Sequence, residues 1–189
     1  QDEGEVRFEG SVTQWRSVAD AEAAGVAIVH QEPTVFPDLD AADNIGLMRE
    51  RTRFSGLWLD RARALREARE ILAELGEDFD AAGPLEALSP AQRQMVSIAR
   101  AISRECRLLI LDEPTSSLSA PESEALFRVV GRLRSRGVAI LYVSHRLEEI
   151  AQTADRVTVL RDGQTVWTKL IAEASNEAIV RAIVGREVL

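Results

Sequence analysis

Three short apolar runs, each followed directly by polar residues, constrain the fold of this chain most strongly. The runs cover residues 26–29, 108–111 and 138–143. A continuous apolar run of this length predicts a β-strand that is buried on both faces of a sheet. An amphipathic helical pattern separates the last two runs, and strand, helix and strand in succession predict a right-handed crossover. The sequence therefore predicts an α/β fold with a mostly parallel sheet.

Apolar residues recur at three- and four-residue spacing in four segments, which predicts helices over residues 61–75, 90–102, 122–136 and 176–184. Gly76 and Gly137 follow two of these segments and are expected helix stops. Further short patterns predict a strand over residues 6–8 and a hairpin over residues 156–167. The expected organisation is an α/β core from residues 1–54 and 106–168, a helical insert over 55–105, and a C-terminal helical segment over 169–189.

Composition excludes several classes of protein. A net charge of −8 over 189 residues argues against binding to a nucleic-acid backbone, because such surfaces are basic. The one cysteine, Cys106, permits no internal disulfide and favours a reducing compartment. The one lysine, Lys169, lies between Thr168 and Leu170. A phosphate-binding P-loop needs lysine after glycine and before serine or threonine, so these residues contain no such loop.

Polar side chains follow the three predicted strands. Gln31 comes after the first strand, Asp112 and Glu113 after the second, and His145 after the third. In open α/β sheets, ligands bind beyond the carboxyl ends of the strands. Two adjacent acids suit Mg²⁺ binding and water activation, and a histidine suits contact with a phosphate oxygen. Each residue alone also fits a purely structural strand end, so the prediction depends on the set.

Residues 89–92 carry the signature of a helix start. Ser89 suits the N-cap, Pro90 the first helical position, and Gln92 completes a capping box. The same geometry presents free N–H groups and a positive dipole end to an anion. A simple helix start and an anion site both remain open from these residues alone.

In order and spacing, four motifs resemble those of the nucleotide-binding domain of ABC transporters. They are VHQE as the Q-loop, LSPAQRQ as the signature motif, LLILDEPT as Walker B, and VSHR as the switch-histidine loop, beginning at residues 29, 88, 108 and 143. The resemblance covers almost the whole chain. It implies a RecA-like P-loop NTPase core with a helical ABC subdomain. It also implies that the Walker A loop lies upstream of Gln1, so that this stretch is a truncated domain and inactive alone.

The same resemblance implies a role for each matching residue, with ATP and Mg²⁺ as ligands. Glu113 matches the general base, Asp112 the Mg²⁺-holding aspartate, and His145 the histidine on the γ-phosphate. Gln31 matches the glutamine that reaches Mg²⁺ and links the site to the membrane subunit. A second ABC ATPase domain would pair head to tail, and its ATP would contact Ser89, Pro90, Ala91 and Gln92.

Three positions differ from the common family pattern. Pro90 and Ala91 replace two glycines of the usual signature, and the extra methyl of Ala91 predicts a looser phosphate contact. Ser119 stands where the D-loop usually ends in aspartate. The resemblance therefore supports coupling between two ATP sites through this loop less strongly than it supports the other roles.

Longer stretches, including the closing IVGRE, resemble the N-terminal ATPase domain of tandem simple-sugar importers. That resemblance implies an ATP-hydrolysing subunit for ribose-, galactose- or xylose-type uptake, on the cytoplasmic face of the inner membrane. Its partners would be transmembrane permease subunits and, indirectly, a periplasmic sugar-binding protein, with no nucleic acid. The alternatives are a non-catalytic docking module and an importer of another small solute. A DNA-repair or translation ATPase fits less well, because the helical insert is short and the charge is acidic.

Overall fold

The computed structural model describes residues 4–47, 52–53 and 58–185. Its strands are β1 (Val6–Phe8), β2 (Ser11–Thr13), β3 (Val26–Val29), β4 (Thr52–Arg53), β5 (Trp58–Leu59), β6 (Leu108–Asp112), β7 (Ala139–Val143), β8 (Arg156–Arg161) and β9 (Gln164–Leu170). Its α-helices are α1 (Val18–Ala23), α2 (Ala41–Gly46), α3 (Arg61–Leu75), α4 (Pro90–Ile102), α5 (Ala120–Ser135), α6 (Leu147–Thr153) and α7 (Asn176–Val184). Short 3₁₀ turns cover Leu85–Ala87 and Ile171–Glu173.

The three strands predicted from apolar runs form one parallel sheet in the order β3-β6-β7. β6 is central, and its Leu109 and Leu111 are completely buried. In the register of the sheet, Leu111 pairs with Val29 on one side and with Tyr142 on the other. The parallel α/β architecture predicted from the sequence is confirmed, and the carboxyl ends of all three strands lie at one edge.

The expectation that each strand is buried on both faces is wrong for the two outer strands. Ile28 of β3 is 47% exposed, and Leu141 and Val143 of β7 are 52% and 43% exposed. α1 and α4 contact β3 and α5 contacts β7, but this packing leaves these alternate side chains open. Because successive side chains point to opposite faces of a strand, an apolar run can have one covered and one uncovered face.

The predicted helices over 61–75 and 90–102 are confirmed. Asp60 caps the start of α3, where its carboxylate accepts a hydrogen bond from the Arg63 N–H, and Gly76 caps the end in the left-handed conformation (φ 87°). Both helices pack against α2, a short helix that the sequence patterns did not predict. The main core combines the buried faces of these helices and of the sheet, including Ile45, Leu72, Met95, Ile98 and Leu109.

The C-terminal part of the described chain has a smaller core of its own. β8 and β9 form the predicted hairpin, with both turn residues, Asp162 and Gly163, at positive φ. Val157 and Val159 of this hairpin pack with Ile179 and Ala182 of α7. Among the residues that the structure describes, none of the helices is long and apolar enough to cross a membrane.

Candidate functional site

The polar ends of β6 and β7 come together in the structure. Nδ1 of His145 lies 3.1 Å from Oε1 of Glu113, which is hydrogen-bond distance. With its proton on Nδ1, the imidazole donates to the carboxylate. His145 is largely exposed and Glu113 is about one-third exposed, so both groups can be reached from solvent. The pair therefore joins a potential proton acceptor and a potential phosphate ligand at the edge of the sheet.

The backbone of Glu113 is held in an unusual conformation. Its φ is 44°, in the left-handed region, where a residue other than glycine pays about 1–2 kcal/mol. The Glu113 N–H donates to the Val143 carbonyl of β7 at 2.9 Å, and its carbonyl accepts from the Ser116 N–H at 3.2 Å. These bonds fix the turn that aims the carboxylate toward His145. Backbone strain of this kind clusters at functional sites.

The other two residues predicted at this edge lie at strand ends of the same sheet. Asp112 is the last residue of β6, pairs with Val143 and is half-buried. Gln31 is exposed two residues beyond the end of β3, the strand next to β6. The structure thus brings Glu113 and His145 into contact, and it places Asp112 and Gln31 at the ends of the same and the adjacent strand.

The donor set at this edge fits Mg²⁺ held jointly by protein and phosphate. Within the described ranges, no group of three or more acidic, histidine or cysteine side chains is arranged to hold a metal by itself. Mg²⁺ usually takes one or two carboxylates, keeps several waters, and completes its octahedron with substrate phosphates. Asp112 and Gln31, which follow or end adjacent strands, carry the carboxylate and amide oxygens that such a partial site uses.

Residues 89–92 form the capping box that their spacing predicts. The Ser89 hydroxyl accepts from the Gln92 N–H at 3.2 Å, and the Gln92 side-chain oxygen accepts from the Ser89 N–H at 2.9 Å. Pro90 has no N–H and that of Gln92 is bound within the cap. Among the first three helical residues, only Ala91 can therefore offer its N–H to a ligand without breaking the cap. The structure places this segment at the start of α4, apart in sequence from the strand ends.

A buried glutamate behind the Glu113–His145 pair was not predicted from the sequence. Glu149 of α6 is only 4% exposed, and its carboxylate accepts hydrogen bonds from Thr115, Tyr142 and Ser144. Burial raises the pKa of the Tyr142 phenol, and the Glu149 carboxylate raises it further. Leu147 and Ile150 share a helix face that does not contain Glu149, so no pattern in this segment signalled its burial.

A second buried polar residue organises the chain after Gln31. Asn44 of α2 is completely buried. Its side-chain oxygen accepts from the Phe36 N–H at 2.8 Å, and its amide nitrogen donates to the carbonyls of Phe36, Leu39 and Asp40 at 3.0, 3.3 and 2.9 Å. Arg61 of α3 also binds the carboxylates of Asp40 and Asp43. The loop that follows the Gln31 strand end is thus fastened to α2 and α3.

Comparison with known proteins identifies the class. Residues 1–116 match the family model described as ABC transporter. This chain therefore belongs to the ABC transporter family, and the family predicted from the four motifs is confirmed.

Individual relatives give a narrower likeness. The chain is 46% identical over 187 residues to the ribose import ATP-binding protein RbsA 2 of Rubrobacter xylanophilus, covering 98% of this chain and 36% of that protein. It is 44% identical over 187 residues to the ribose import ATP-binding protein RbsA of Rhodopirellula baltica, covering 99% of this chain and 36% of that protein. The chain thus spans about a third of the length of these curated relatives.

Solved structures agree on the fold. The ATP-binding cassette MJ1267 superposes with a TM-score of 0.79 at 23% identity, over 96% of this chain and 77% of that one. The ATP-binding cassette MJ0796, in a dimeric post-hydrolysis state bound to ADP and Pi, superposes with a TM-score of 0.74 at 22% identity, over 90% of this chain and 74% of that one. The ABC ATPase fold class predicted from the sequence is confirmed by these two cassettes.

Proposed function

We propose that residues 1–189 are part of an ATP-binding subunit that hydrolyses ATP to drive sugar import through a membrane permease. One observation carries the catalytic half of this proposal, namely the 3.1 Å contact between Glu113 and His145 beside Asp112 at the edge of the sheet. Family membership and the likeness to the two ribose import ATP-binding proteins support the transport half.

In the proposed reaction, the Glu113 carboxylate accepts a hydrogen bond from the attacking water and orients it toward the γ-phosphate. In its protonated form His145 can donate from both ring nitrogens, to Glu113 through Nδ1 and to a phosphate oxygen through Nε2. Asp112 and Gln31 would hold Mg²⁺, which when bound neutralises charge on the phosphate oxygens. The left-handed turn at Glu113 keeps the carboxylate in place before substrate arrives.

The start of α4 would serve a neighbouring site. We propose that Ser89, Ala91 and Gln92, with Pro90 shaping the turn, face ATP bound by a second ABC ATPase domain. The N-terminal end of a helix favours a phosphate through its dipole, and here the Ala91 N–H is the donor left free by the cap. The loop fastened by Asn44 would contact the permease at the cytoplasmic face of the membrane. The residue boundaries expected for the core, helical insert and C-terminal segment are part of the same proposal.

The proposal requires that the phosphates be cradled by a segment other than residues 1–189. Lys169, the one lysine, lies in β9 and has no glycine loop before it. The experiments below therefore use the complete gene product that contains these residues. A non-catalytic docking module is the second candidate, and it is favoured by this same observation. Tight binding of ATP by the complete gene product would count against the docking module.

The deciding experiment compares Glu113→Gln with the wild-type complete gene product. Loss of a positioned general base should lower kcat for ATP hydrolysis by about 100-fold or more. ATP affinity should change little, because the amide keeps the size of the side chain. The matched control is Glu124→Gln, which alters an exposed glutamate of α5 and should hydrolyse ATP like the wild type. Unchanged hydrolysis in Glu113→Gln would contradict the proposed role.

The import half needs its own assay. Wild-type protein assembled with its permease in vesicles should show ATP hydrolysis that rises when a sugar and its binding protein are added. A panel of ribose, galactose and xylose tests the sugar class suggested by the relatives. Stimulation by a non-sugar solute instead would favour the alternative importer, and no stimulation by any solute would contradict coupled import.

A further inference from the structure

We propose that Glu149 is a positioning residue, whose buried carboxylate sets the distance between Glu113 and His145. Glu149 touches neither of them directly. It holds the two chain segments that carry them, the turn after β6 and the loop after β7. The inference rests on the proposed ATPase function, and it adds a residue that the four motifs do not contain.

The contacts of Glu149 divide between its two carboxylate oxygens. Oε1 accepts from the Thr115 hydroxyl at 2.7 Å and lies 3.0 Å from the Arg146 guanidinium. Oε2 accepts from the Ser144 hydroxyl at 2.9 Å and from the Tyr142 hydroxyl at 3.0 Å. One planar group thus binds four side chains that come from the turn after β6 and from the end of β7 with its following loop.

Three of the residues that bind Glu149 lie close to Glu113 or His145 in the sequence. Thr115 lies two residues after Glu113, while Ser144 and Arg146 lie on either side of His145. The Ser144 hydroxyl also accepts from the Arg146 N–H at 3.0 Å, which closes the backbone around His145. Because the two oxygens of a carboxylate are at a fixed separation, Glu149 ties the position of one segment to that of the other.

A carboxylate suits this place better than an amide or an apolar group. All four partners are donors, and an ionised carboxylate accepts at both oxygens. Burying a charge is expensive unless it is paired and fully hydrogen-bonded, and this one has a guanidinium and three hydroxyls. An amide at position 149 turns an N–H₂ toward two of these donors. The remaining oxygen then accepts from only one pair of partners, Thr115 with Arg146 or Ser144 with Tyr142, and the link between the two segments is weakened.

The backbone already contributes one link between the segments, the bond from the Glu113 N–H to the Val143 carbonyl. That bond fixes the start of the turn, and Thr115 fixes its far side through Glu149. Thr115 is itself buried, so its hydroxyl has little access to water as a substitute partner. Loss of the carboxylate should therefore let the Glu113 carboxylate and the His145 ring move apart without unfolding the sheet.

The test measures ATP hydrolysis by the complete gene product carrying Glu149→Gln or Thr115→Val. Misplacement of a catalytic pair by about 1 Å lowers rates by about 100-fold, so kcat should fall by about 10- to 100-fold. The KM for ATP should change by less than about threefold, because loss of transition-state positioning does not remove ground-state binding. Thr115→Ser restores the hydroxyl and should recover kcat. Glu148→Gln, a change of the exposed neighbour on α6, is the matched control.

A second measurement does not need hydrolysis. Hydrogen exchange followed by mass spectrometry should show faster exchange in Glu149→Gln in both segments, 113–116 and 144–146, with the strands unchanged. Normal kcat in Glu149→Gln and Thr115→Val, beside an active wild type, would overturn the inference. An inactive wild type would instead defeat the proposed function. In that case unchanged exchange over 113–116 overturns the positioning role, and faster exchange in both segments supports it.

Discussion

Replacing Asn44 by alanine should loosen the loop that follows the Gln31 strand end. The Asn44 side chain makes one hydrogen bond through its oxygen, and its two amide hydrogens are shared among three backbone carbonyls. Two amide hydrogens make the equivalent of two full hydrogen bonds, so with the bond accepted by the oxygen the side chain makes three in total. At about 1 kcal/mol net for each bond, the variant should lose about 3 kcal/mol of local stability. Alanine fills little of the buried site, so it offers no replacement.

The Phe36 amide reports this loss directly, because its N–H donates to the Asn44 side chain. A local loss of about 3 kcal/mol corresponds to about 100-fold faster exchange, since about 1.4 kcal/mol is tenfold. The assay is hydrogen exchange by mass spectrometry of the complete gene product, on peptides that span residues 35–44. Exchange should accelerate there and stay unchanged in peptides from β6.

Asp38→Ala is the matched control, because Asp38 is an exposed residue of the same loop. It should leave exchange of the Phe36 amide near the wild-type rate. The reasoning is refuted if Asn44→Ala accelerates exchange by less than about fivefold, because three lost buried hydrogen bonds cannot have so small an effect.

Four further predictions concern the Cys106 thiol, a glycine at a helix end, a glycine inside a helix, and a helix start. Burial raises the pKa of the Cys106 thiol to about 11, so iodoacetamide at pH 8 should alkylate it about 100-fold more slowly than an exposed cysteine, as measured by mass spectrometry. Gly76→Ala forces a methyl onto a residue at φ 87° and should destabilise by about 1–2 kcal/mol in a calorimetric melt. Gly131→Ala, in open space within α5, should instead stabilise by about 0.5–1 kcal/mol. Hydrogen bonds from Ser119 lower the pKa of Glu122, so Ser119→Ala should destabilise the folded protein at neutral pH. In thermal melts, the difference in stability from the wild type should shrink as the pH falls through the depressed pKa of Glu122.

Long helices could be predicted from the sequence, whereas the short helices could not. α3 follows its apolar pattern from Arg61 to Leu75 because many residues repeat the same face. α2 and α6 span only six and seven residues, too short for a period to stand out. The exposure of Ile28 and Leu141 could not be predicted either, because the covering of a strand face depends on how distant helices pack.

The candidate site divides in the same way. Parallel strands and polar strand ends are sufficient to predict that Asp112, Glu113 and His145 share one edge. The role of Glu149 depends on the angle at which α6 returns under the loop, which no local pattern encodes. A pattern of side chains predicts neighbours along one element, whereas a network that joins three elements appears only when they are packed.

The left-handed backbone at Glu113 has a consequence for selection on this protein. Glycine accepts such a φ at no steric cost, so Glu113→Gly removes about 1–2 kcal/mol of conformational strain together with the carboxylate. Laboratory evolution that rewards heat resistance alone should therefore tolerate or enrich glycine at position 113. Under the proposed role of Glu113, evolution that rewards ATP hydrolysis should retain the glutamate. The difference between the two outcomes would measure how much stability the proposed activity costs.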